Sequence, residues 1–222
     1  MGAFFKFSNG ICKMITVVLT SCGRLDLLKK TVDSFLKFND YPIKEFIIID
    51  DSGDNFVHDS IREAYPQWTL ILKDHRGQIV CIDDAYSMVK TPYIFHMEDD
   101  WEFIRGGFMQ LSLEILENDI QAMQVFIVNQ NDHPLELETY KINNIEYKYL
   151  GHYQNWKGFS FNPGLRRLSE WKLIGPFMNI GKYESSGLKE WEIGEEYYKR
   201  GFKAAILPDK YCYHIGEGRR VL

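Results

Sequence analysis

The chain has 222 residues, of which 45% are hydrophobic and 26% charged, as in an ordinary soluble globular protein. Its formal net charge of −5 and the lack of a long basic run argue against nucleic acid as the main partner. No apolar run approaches the roughly 18 residues of a transmembrane segment.

Neither the cysteines nor the first residues indicate secretion. The cysteines at 12, 22, 81 and 212 form no Cys-x-x-Cys pair, so reduced thiols are favoured over a disulfide framework. Residues 1–13 are too short and too polar for a signal peptide, and we interpret them as an N-terminal extension. We therefore expect a cytoplasmic protein, and leave open a peripheral contact between its N-terminal tail and a membrane.

Apolar runs and amphipathic stretches alternate along the first hundred residues. The runs predict buried strands at 14–22, 45–54, 68–73 and 92–97. The stretches between them predict helices at 24–38, 55–65 and 77–90. This alternation indicates an α/β fold, with a mostly parallel, Rossmann-like central sheet built from right-handed βαβ units and flanked by helices.

The second half of the chain is less regular. A helix at 108–118 and a strand at 122–129 precede a polar stretch, 129–156, which we interpret as a loop with short antiparallel strands. Helices at 169–177 and 189–201 and a strand at 203–208 follow. With no internal repeat and no obvious linker, one compact unit is the simplest interpretation.

Polar or acidic residues follow three of the predicted strands, at Thr20–Ser21, Asp50–Asp51 and Glu98–Asp100. Ligands of parallel sheets bind beyond these carboxyl ends. Four acidic groups crowd into 98–102, and like charges about 4 Å apart repel by roughly 4 kcal/mol at an effective dielectric of 20. Either a cation such as Mg²⁺ or Mn²⁺ or open water can offset this repulsion, so both a metal site and a solvated loop remain open.

Four further features each have a functional and a structural interpretation. Asp50–Asp51 could hold a base or ribose, or form an Asx turn. Arg24 could be a charge at a helix entry, or could contact a base or a phosphate; the helix dipole disfavours a basic residue at a helix start, which supports a ligand role. His214 and the following Arg219–Arg220 could contact a metal or diphosphate, or belong to a frayed tail. The glutamates of 189–201 could supply a general base or form a solvated face.

Taken in order, these stretches resemble GT-A-fold glycosyltransferases, especially those of family 2. The resemblance rests on "ITVVLTSCGRLDLLKKTVDSFLKF", "FIIIDDSGD", "MEDD" and "KEWEIGEEYYKRGFKAAILPDKYCYHIG", and runs from about 14 to 220. It implies a single GT-A domain over 14–222 with a small antiparallel part on the acceptor side. Residues 14–105 would be its nucleotide-sugar-binding half, and 106–222 its acceptor-binding and catalytic half.

The resemblance also implies roles for individual residues. The catalytic base would lie about eleven positions before Gly201, which gives Glu190; the family's acidic pair is Lys189–Glu190 here, so Glu192 competes. Glu98 stands where the family's metal motif begins with Asp. The metal ligands would be Asp100, Glu98 and His214. The nucleotide site would comprise Thr20, Ser21, Arg24, Asp50, Asp51, Gln78, Asp99 and Arg219.

The implied reaction is a Mn²⁺- or Mg²⁺-dependent, inverting transfer of a sugar from a UDP, GDP or TDP sugar to a glycan or other hydroxyl acceptor. A non-catalytic nucleotide-sugar-binding module and a sugar-phosphate nucleotidylyltransferase are the alternatives. The latter would carry a "GGxGxR" loop, and "TSCGRL" has only one of those glycines. A haloacid-dehalogenase-type phosphatase is disfavoured, because "DDSGD" lacks the DxDxT spacing.

Overall fold

The computed structural model describes residues 14–154, 156–183 and 186–219. The N-terminal extension, Cys12 and Arg220 lie outside these residues. Within them the chain forms eleven strands and six α-helices, arranged as one large sheet with a separate two-stranded ribbon. The predicted α/β class with a sheet flanked by helices is confirmed.

The first half follows the predicted alternation of strands and helices. Its elements are β1 (Ile15–Ser21), α1 (Leu25–Phe38), β2 (Glu45–Asp50), α2 (Asn55–Ala64), β3 (Thr69–Leu72), α3 (Gln78–Met88) and β4 (Tyr93–Glu98). Every residue of β1 is buried, as expected of an inner strand covered on both faces. Helix α1 buries Leu28, Val32 and Phe35 at helical spacing. The sequence places each of these elements to within a few residues.

The second half departs from the sequence prediction in two strands. Its elements are β5 (Trp101–Phe103), α4 (Phe108–Asn118), β6 (Ala122–Phe126), β7 (Tyr140–Ile142), β8 (Ile145–Tyr149), β9 (Gly164–Arg167), α5 (Leu168–Ile174), α6 (Ser186–Tyr198), β10 (Lys203–Ile206) and β11 (Cys212–His214). Short 3₁₀ turns lie at Gln130–Asp132 and Phe177–Asn179. Strands β5 and β9 were not predicted, because their sequences, "WEF" and "GLRR", contain no apolar run.

The large sheet has the strand order β3-β2-β1-β4-β9-β6-β10-β8-β7. Strands β3, β2, β1 and β4 are parallel, and so are β6 and β10. Strand β9 runs antiparallel between β4 and β6, and β8 pairs antiparallel with both β10 and β7. The predicted parallel strands are present as the first half of the sheet, and β9 joins them to the second half. The sheet as a whole is mixed rather than mostly parallel as predicted, because β9, β8 and β7 pair antiparallel with their neighbours.

The small ribbon brings the end of the chain back to the parallel half. Strand β11 pairs antiparallel with β5, so that His214 lies opposite Trp101. Because β5 directly follows the acidic residues after β4, this pairing carries His214 to the same edge of the sheet. None of the helices in the described part of the chain is long and apolar enough to cross a bilayer.

Candidate active site

The carboxyl ends of β1, β2 and β4 meet at one edge of the sheet. In the strand register, Thr20 lies beside Glu98 and Ser21 beside Asp50. The predicted convergence of the polar strand ends is therefore present in the fold. Thr20 is buried at this edge.

Asp99 forms an ion pair with Arg24, the residue immediately before α1. Its carboxylate accepts hydrogen bonds from the Ser21 hydroxyl at 3.0 Å and from Arg24 Nε at 3.2 Å, and a second guanidinium nitrogen of Arg24 contacts its other oxygen. Burial raises the pKa of Asp99 to about 6, and the Arg24 charge opposes that rise. Thr31 Oγ1 donates to the Asp99 carbonyl at 2.7 Å, which fixes the turn after β4 on α1.

Asp100 contacts the side chains of both Arg24 and His214. Its Oδ2 lies 2.9 Å from Arg24 Nη1 and 3.2 Å from His214 Nε2, while its buried Oδ1 has no hydrogen-bond partner. A Cβ added to Gly216 would come within 2.4 Å of Asp100 Oδ2, so only glycine fits there. The chain end is held over this point, because Arg219 forms two hydrogen bonds with Asp26 and its carbonyl accepts one from Arg24.

Asp50 and Asp51 hold two loops of the site in place. Asp50 accepts hydrogen bonds from the backbone amides of Gly23 and Ser52, each at 3.0 Å. Burial raises the pKa of Asp50, but these bonds and that from the Ser52 hydroxyl outweigh it and lower the pKa overall. Asp51 accepts the amides of Arg76 and Gly77, both at 2.7 Å, just before α3. The Asx-turn interpretation is therefore present at Asp50, alongside any ligand role.

Glu98 ends β4 with its carboxylate toward a cleft. Its Oε1 accepts a hydrogen bond of 2.7 Å from Gln78 Nε2, and its Oε2 one of 3.4 Å from Trp101 Nε1. Burial, followed by the charges of Asp100 and Glu190, raises the pKa of Glu98 to about 8. Gln78 therefore lies at the acidic edge, where its side chain donates a hydrogen bond to Glu98.

Glu190 lies on α6 and faces the same cleft. Its Oε1 accepts hydrogen bonds from Ser160 Oγ at 2.9 Å and from the Phe161 amide at 2.6 Å. Burial raises the pKa of Glu190 to about 7, while these two hydrogen bonds and the charge of buried Arg166 oppose the rise. A carboxyl with this pKa can exchange a proton near neutral pH, as a general base must.

Glu192, the other candidate for the catalytic base, binds the backbone of a neighbouring loop instead. Its two oxygens accept hydrogen bonds from the amides of Lys182 and Tyr183, at 2.7 Å and 3.1 Å. The side chain of Lys189 lies 3.5 Å from the same carboxylate and donates to the Ile180 carbonyl at 2.6 Å. Glu192 does not line the cleft that Glu98 and Glu190 share.

That cleft has a volume of about 660 Å³ and lies between the end of β4, α6, Tyr153 and the 156–162 segment. One wall is aromatic: the Trp156 ring stacks on His133, with ring centroids 6.0 Å apart, and Trp156 Nε1 donates to the Phe159 carbonyl at 2.7 Å. Its lining comprises Gln78, Glu98, His133, Pro134, Tyr153, Trp156, Ser160, Phe161, Asn162, Gly187, Leu188, Glu190 and Trp191.

Sequence reasoning missed the groups that hold Glu190 and the aromatic wall. Ser160 and Phe161 lie about 30 positions from Glu190 in the sequence, so no local spacing relates them. The sequence signal nearest to these groups is the "FSFNPGLRR" stretch, 159–167, which contains Ser160 and Phe161. The His133–Trp156 stack joins residues 23 positions apart, so no local pattern predicts it.

A family model, glycosyl transferase family 2, matches residues 16–172. The chain belongs to glycosyl transferase family 2. The matched range contains the strand-end residues of β1, β2 and β4, but ends before α6, which carries Glu190. No curated protein sequence matches this family 2 chain.

Solved structures share the fold of this family 2 chain at low sequence identity. The mannosyltransferase PcManGT from Pyrobaculum calidifontis, in complex with GDP-Man and Mn²⁺, has a TM-score of 0.65 and 14% identity over 92% of this chain and 57% of its own. TarS 1–349 from S. aureus has a TM-score of 0.60 and 12% identity, over 91% of this chain and 60% of its own. A TarS complex with UDP is similar, at 0.60 and 13%, over 90% and 59%. The chain thus spans less than two thirds of these neighbours.

The side chains at the acidic edge fit a divalent cation that also binds a diphosphate. Asp100 offers a buried oxygen without a partner, and His214 Nε2 lies beside the same carboxylate. Across the described ranges, no three His, Cys, Asp or Glu side chains are close enough to hold a metal ion unaided. Mg²⁺ and Mn²⁺ commonly take one or two protein ligands and complete their coordination with phosphate oxygens and water.

Proposed function

We propose that this chain is a metal-dependent glycosyltransferase that moves a sugar from a nucleoside-diphosphate sugar to an acceptor hydroxyl, with inversion at the anomeric carbon. The observation that carries the proposal is that Glu98, at the end of the acidic edge, and Glu190 line one cleft from different elements. A donor bound along the acidic edge would bring its sugar into that cleft, beside a carboxylate whose pKa is about 7.

The donor would bind across the ends of β1 and β2. Asp51 and Asp50 would order the loops that surround the base and ribose, since each already holds backbone amides of those loops. Arg24 would pair with the diphosphate, exchanging part of its contact with Asp99 and Asp100 for phosphate oxygens. Thr20, Ser21, Gln78 and Arg219 complete the proposed nucleotide site. The neighbours bound to GDP-Man or UDP support this class of donor.

Asp100 and His214 would hold the metal ion, with Glu98 alongside. When bound, a divalent cation stabilises the charge that develops on a leaving diphosphate. The Mn²⁺ in the mannosyltransferase neighbour supports Mn²⁺ or Mg²⁺ for this site. Glu98 would have to lose its proton to contribute, because its pKa is about 8.

Glu190 would act as the general base. Its carboxylate would take the proton of the acceptor hydroxyl while that oxygen attacks the anomeric carbon. The bond between that carbon and the diphosphate oxygen would break, and its electron pair would leave with the nucleoside diphosphate. A single displacement of this kind inverts the anomeric configuration. Ser160 and the Phe161 amide would hold one oxygen of the base, leaving the other for the proton.

A binding experiment followed by a turnover experiment tests the proposal. Thermal unfolding is measured with UDP, GDP and TDP and their sugars, with and without Mn²⁺; a ligand at 100 times its Kd should add about 2.7 kcal/mol of stability. We expect a metal-dependent shift with one base. Turnover with that donor should be lost in Asp100→Asn while the fold is kept, and NMR of the product should show an inverted anomer. No shift with any nucleotide would overturn the proposal.

A further inference from the structure

The two ends of the candidate site differ in the cationic side chains they offer. Arg24, His214 and Arg219 lie at the acidic edge, where a diphosphate would need them. The lining of the cleft between β4 and α6 contains two acidic side chains, Glu98 and Glu190, and, over the part of the chain that the structure describes, no lysine or arginine. An anionic group therefore finds arginine side chains at the first end and none among the described lining residues of the cleft.

Three cations of the neighbouring segments are not among the residues that line the cleft. Arg166 is buried behind the cleft, where it donates to the Ser160 carbonyl at 3.3 Å and lies over the Phe159 ring. Lys189 is fully buried and donates to the Ile180 carbonyl. Lys157 lies over the Tyr198 ring, 5.1 Å from its centroid. Burial lowers the pKa of the lining histidine, His133, and so favours its neutral form.

Tyr153 and Trp156 give the lining of the cleft an aromatic surface. Trp156 is fixed by its stack on His133 and by its hydrogen bond to the Phe159 carbonyl. Tyr153, which exchanges two backbone hydrogen bonds with Trp156, is 61% exposed. An ordered aromatic ring loses little conformational entropy on binding and offers an apolar face. The C–H face of a pyranose ring is the complementary surface, and the amide of Asn162 can serve its hydroxyls.

We infer that the acceptor is an uncharged saccharide, which presents a hydroxyl to Glu190 while the apolar face of a sugar ring packs on Tyr153 and Trp156. The inference rests on the proposed function, because it assigns the acceptor side of that same site. It rules out acceptors whose phosphate, sulfate or carboxylate group must enter the cleft, since none of the described lining residues would neutralise that charge.

Glycan binding by the whole chain tests the inference. The protein, with Mn²⁺ and either UDP or GDP, is applied to an array of neutral oligosaccharides and of the same glycans carrying phosphate, sulfate or uronic acid groups. We expect binding to be confined to neutral glycans. Binding restricted to the acidic glycans, or no binding to any glycan by a chain that does bind nucleotide, would overturn the inference.

Two variants and a matched control locate the contact. Tyr153→Ala removes an exposed ring, and Trp156→Ala removes the stacked one; each should weaken binding of the best neutral glycan at least tenfold and leave the nucleotide-induced thermal shift unchanged. Tyr213→Ala removes a tyrosine that is 36% exposed on β11, outside the cleft lining, and should change neither. Unchanged glycan binding in Tyr153→Ala would overturn the inference even if Trp156→Ala fails to fold. Neutral-glycan binding at Tyr153 without any nucleotide binding would instead overturn the proposed function alone.

Discussion

The Ser160 hydroxyl donates a hydrogen bond of 2.9 Å to Glu190 Oε1, and the Ser160 carbonyl accepts one of 3.3 Å from Arg166 Nη2. One residue thus links the proposed base on α6 to a buried guanidinium on β9. Because β9 lies between β4 and β6, the position of Glu190 depends on the centre of the sheet as well as on its own helix.

Glu190→Gln should lower kcat by roughly 10²–10⁴-fold, the usual contribution of a general base, because an amide cannot accept the proton. Glu192→Gln is the matched control, because Glu192 lies two positions further along the same helix but outside the cleft. It should keep most of the activity and instead lose stability, since its carboxylate accepts two backbone amides. Initial rates at saturating donor measure both. A larger loss of kcat in Glu192→Gln than in Glu190→Gln would instead identify Glu192 as the base.

The difference in stability between Glu190→Gln and the parent chain should change with pH in a defined direction. The folded chain raises the pKa of Glu190 from 4.5 to about 7, so folding favours its protonated form. The corresponding contribution to stability is full below pH 4.5 and is lost as pH rises through about 7. The variant should therefore gain stability relative to the parent between pH 5 and pH 8, which urea unfolding at the two pH values measures. An equal difference at both would contradict the shifted pKa.

The pH dependence of turnover should follow the same group. As the carboxylate is the active form of a base, kcat/KM should rise with pH through about 7. Ser160→Ala removes a hydrogen bond that lowers the pKa of Glu190, so this rise should move to higher pH. Ser87→Ala, which removes an exposed hydroxyl bonded to the Asp84 carbonyl, should leave the profile in place. A Ser160→Ala profile that coincides with the parent would exclude this role for Ser160.

Asp83 should be important for stability rather than for catalysis. This buried carboxylate on α3 accepts hydrogen bonds of 2.9 Å from Trp171 Nε1 and from the amides of Phe177 and Met178. Asp83→Ala leaves three donors without an acceptor, which should cost about 3 kcal/mol or more. At about 2–4 °C per kcal/mol for a chain of this size, Tm should fall by at least about 6 °C. Nucleotide binding below that Tm should persist, and its loss would place Asp83 in the donor site.

The parallel half of the fold was predictable because each of its strands is an apolar run. In β1 and β2, the runs "ITVVL" and "III" are buried, and amphipathic α1 separates them. The meeting of Glu98 with Thr20 then follows from parallel topology, which aligns the carboxyl ends of neighbouring strands. Local sequence therefore determined the acidic edge of the site.

The other wall of the cleft depends on contacts that are distant in sequence. Strand β9, "GLRR", contains no apolar run, and its place between β4 and β6 is decided by pairing with strands that are distant in sequence. The ion pair between Arg24 and Asp99 and the stack of His133 on Trp156 likewise join residues from separate elements. Candidate chemistry was thus readable from the sequence, but not which groups hold it in position.

Gly216→Ala should impair the metal-dependent step without unfolding the chain. A Cβ at this position would lie 2.4 Å from Asp100 Oδ2 and 2.7 Å from Asp100 Cβ, so either the Asp100 carboxylate or the loop after β11 must move. Because Asp100 and His214 are the proposed metal ligands, the Mn²⁺ concentration needed for half-maximal turnover should rise at least tenfold.

The exposed neighbour provides the control for this substitution. Glu217→Ala alters the same loop without approaching Asp100, and its Mn²⁺ dependence should match that of the parent. Circular dichroism and Tm separate a local displacement from unfolding. An unchanged Mn²⁺ requirement in a folded Gly216→Ala would show that the loop moves and the Asp100 carboxylate does not. The hypothesis that Gly216 is needed for the metal site would then be wrong. A rise confined to Gly216→Ala would mean that the chain end positions Asp100.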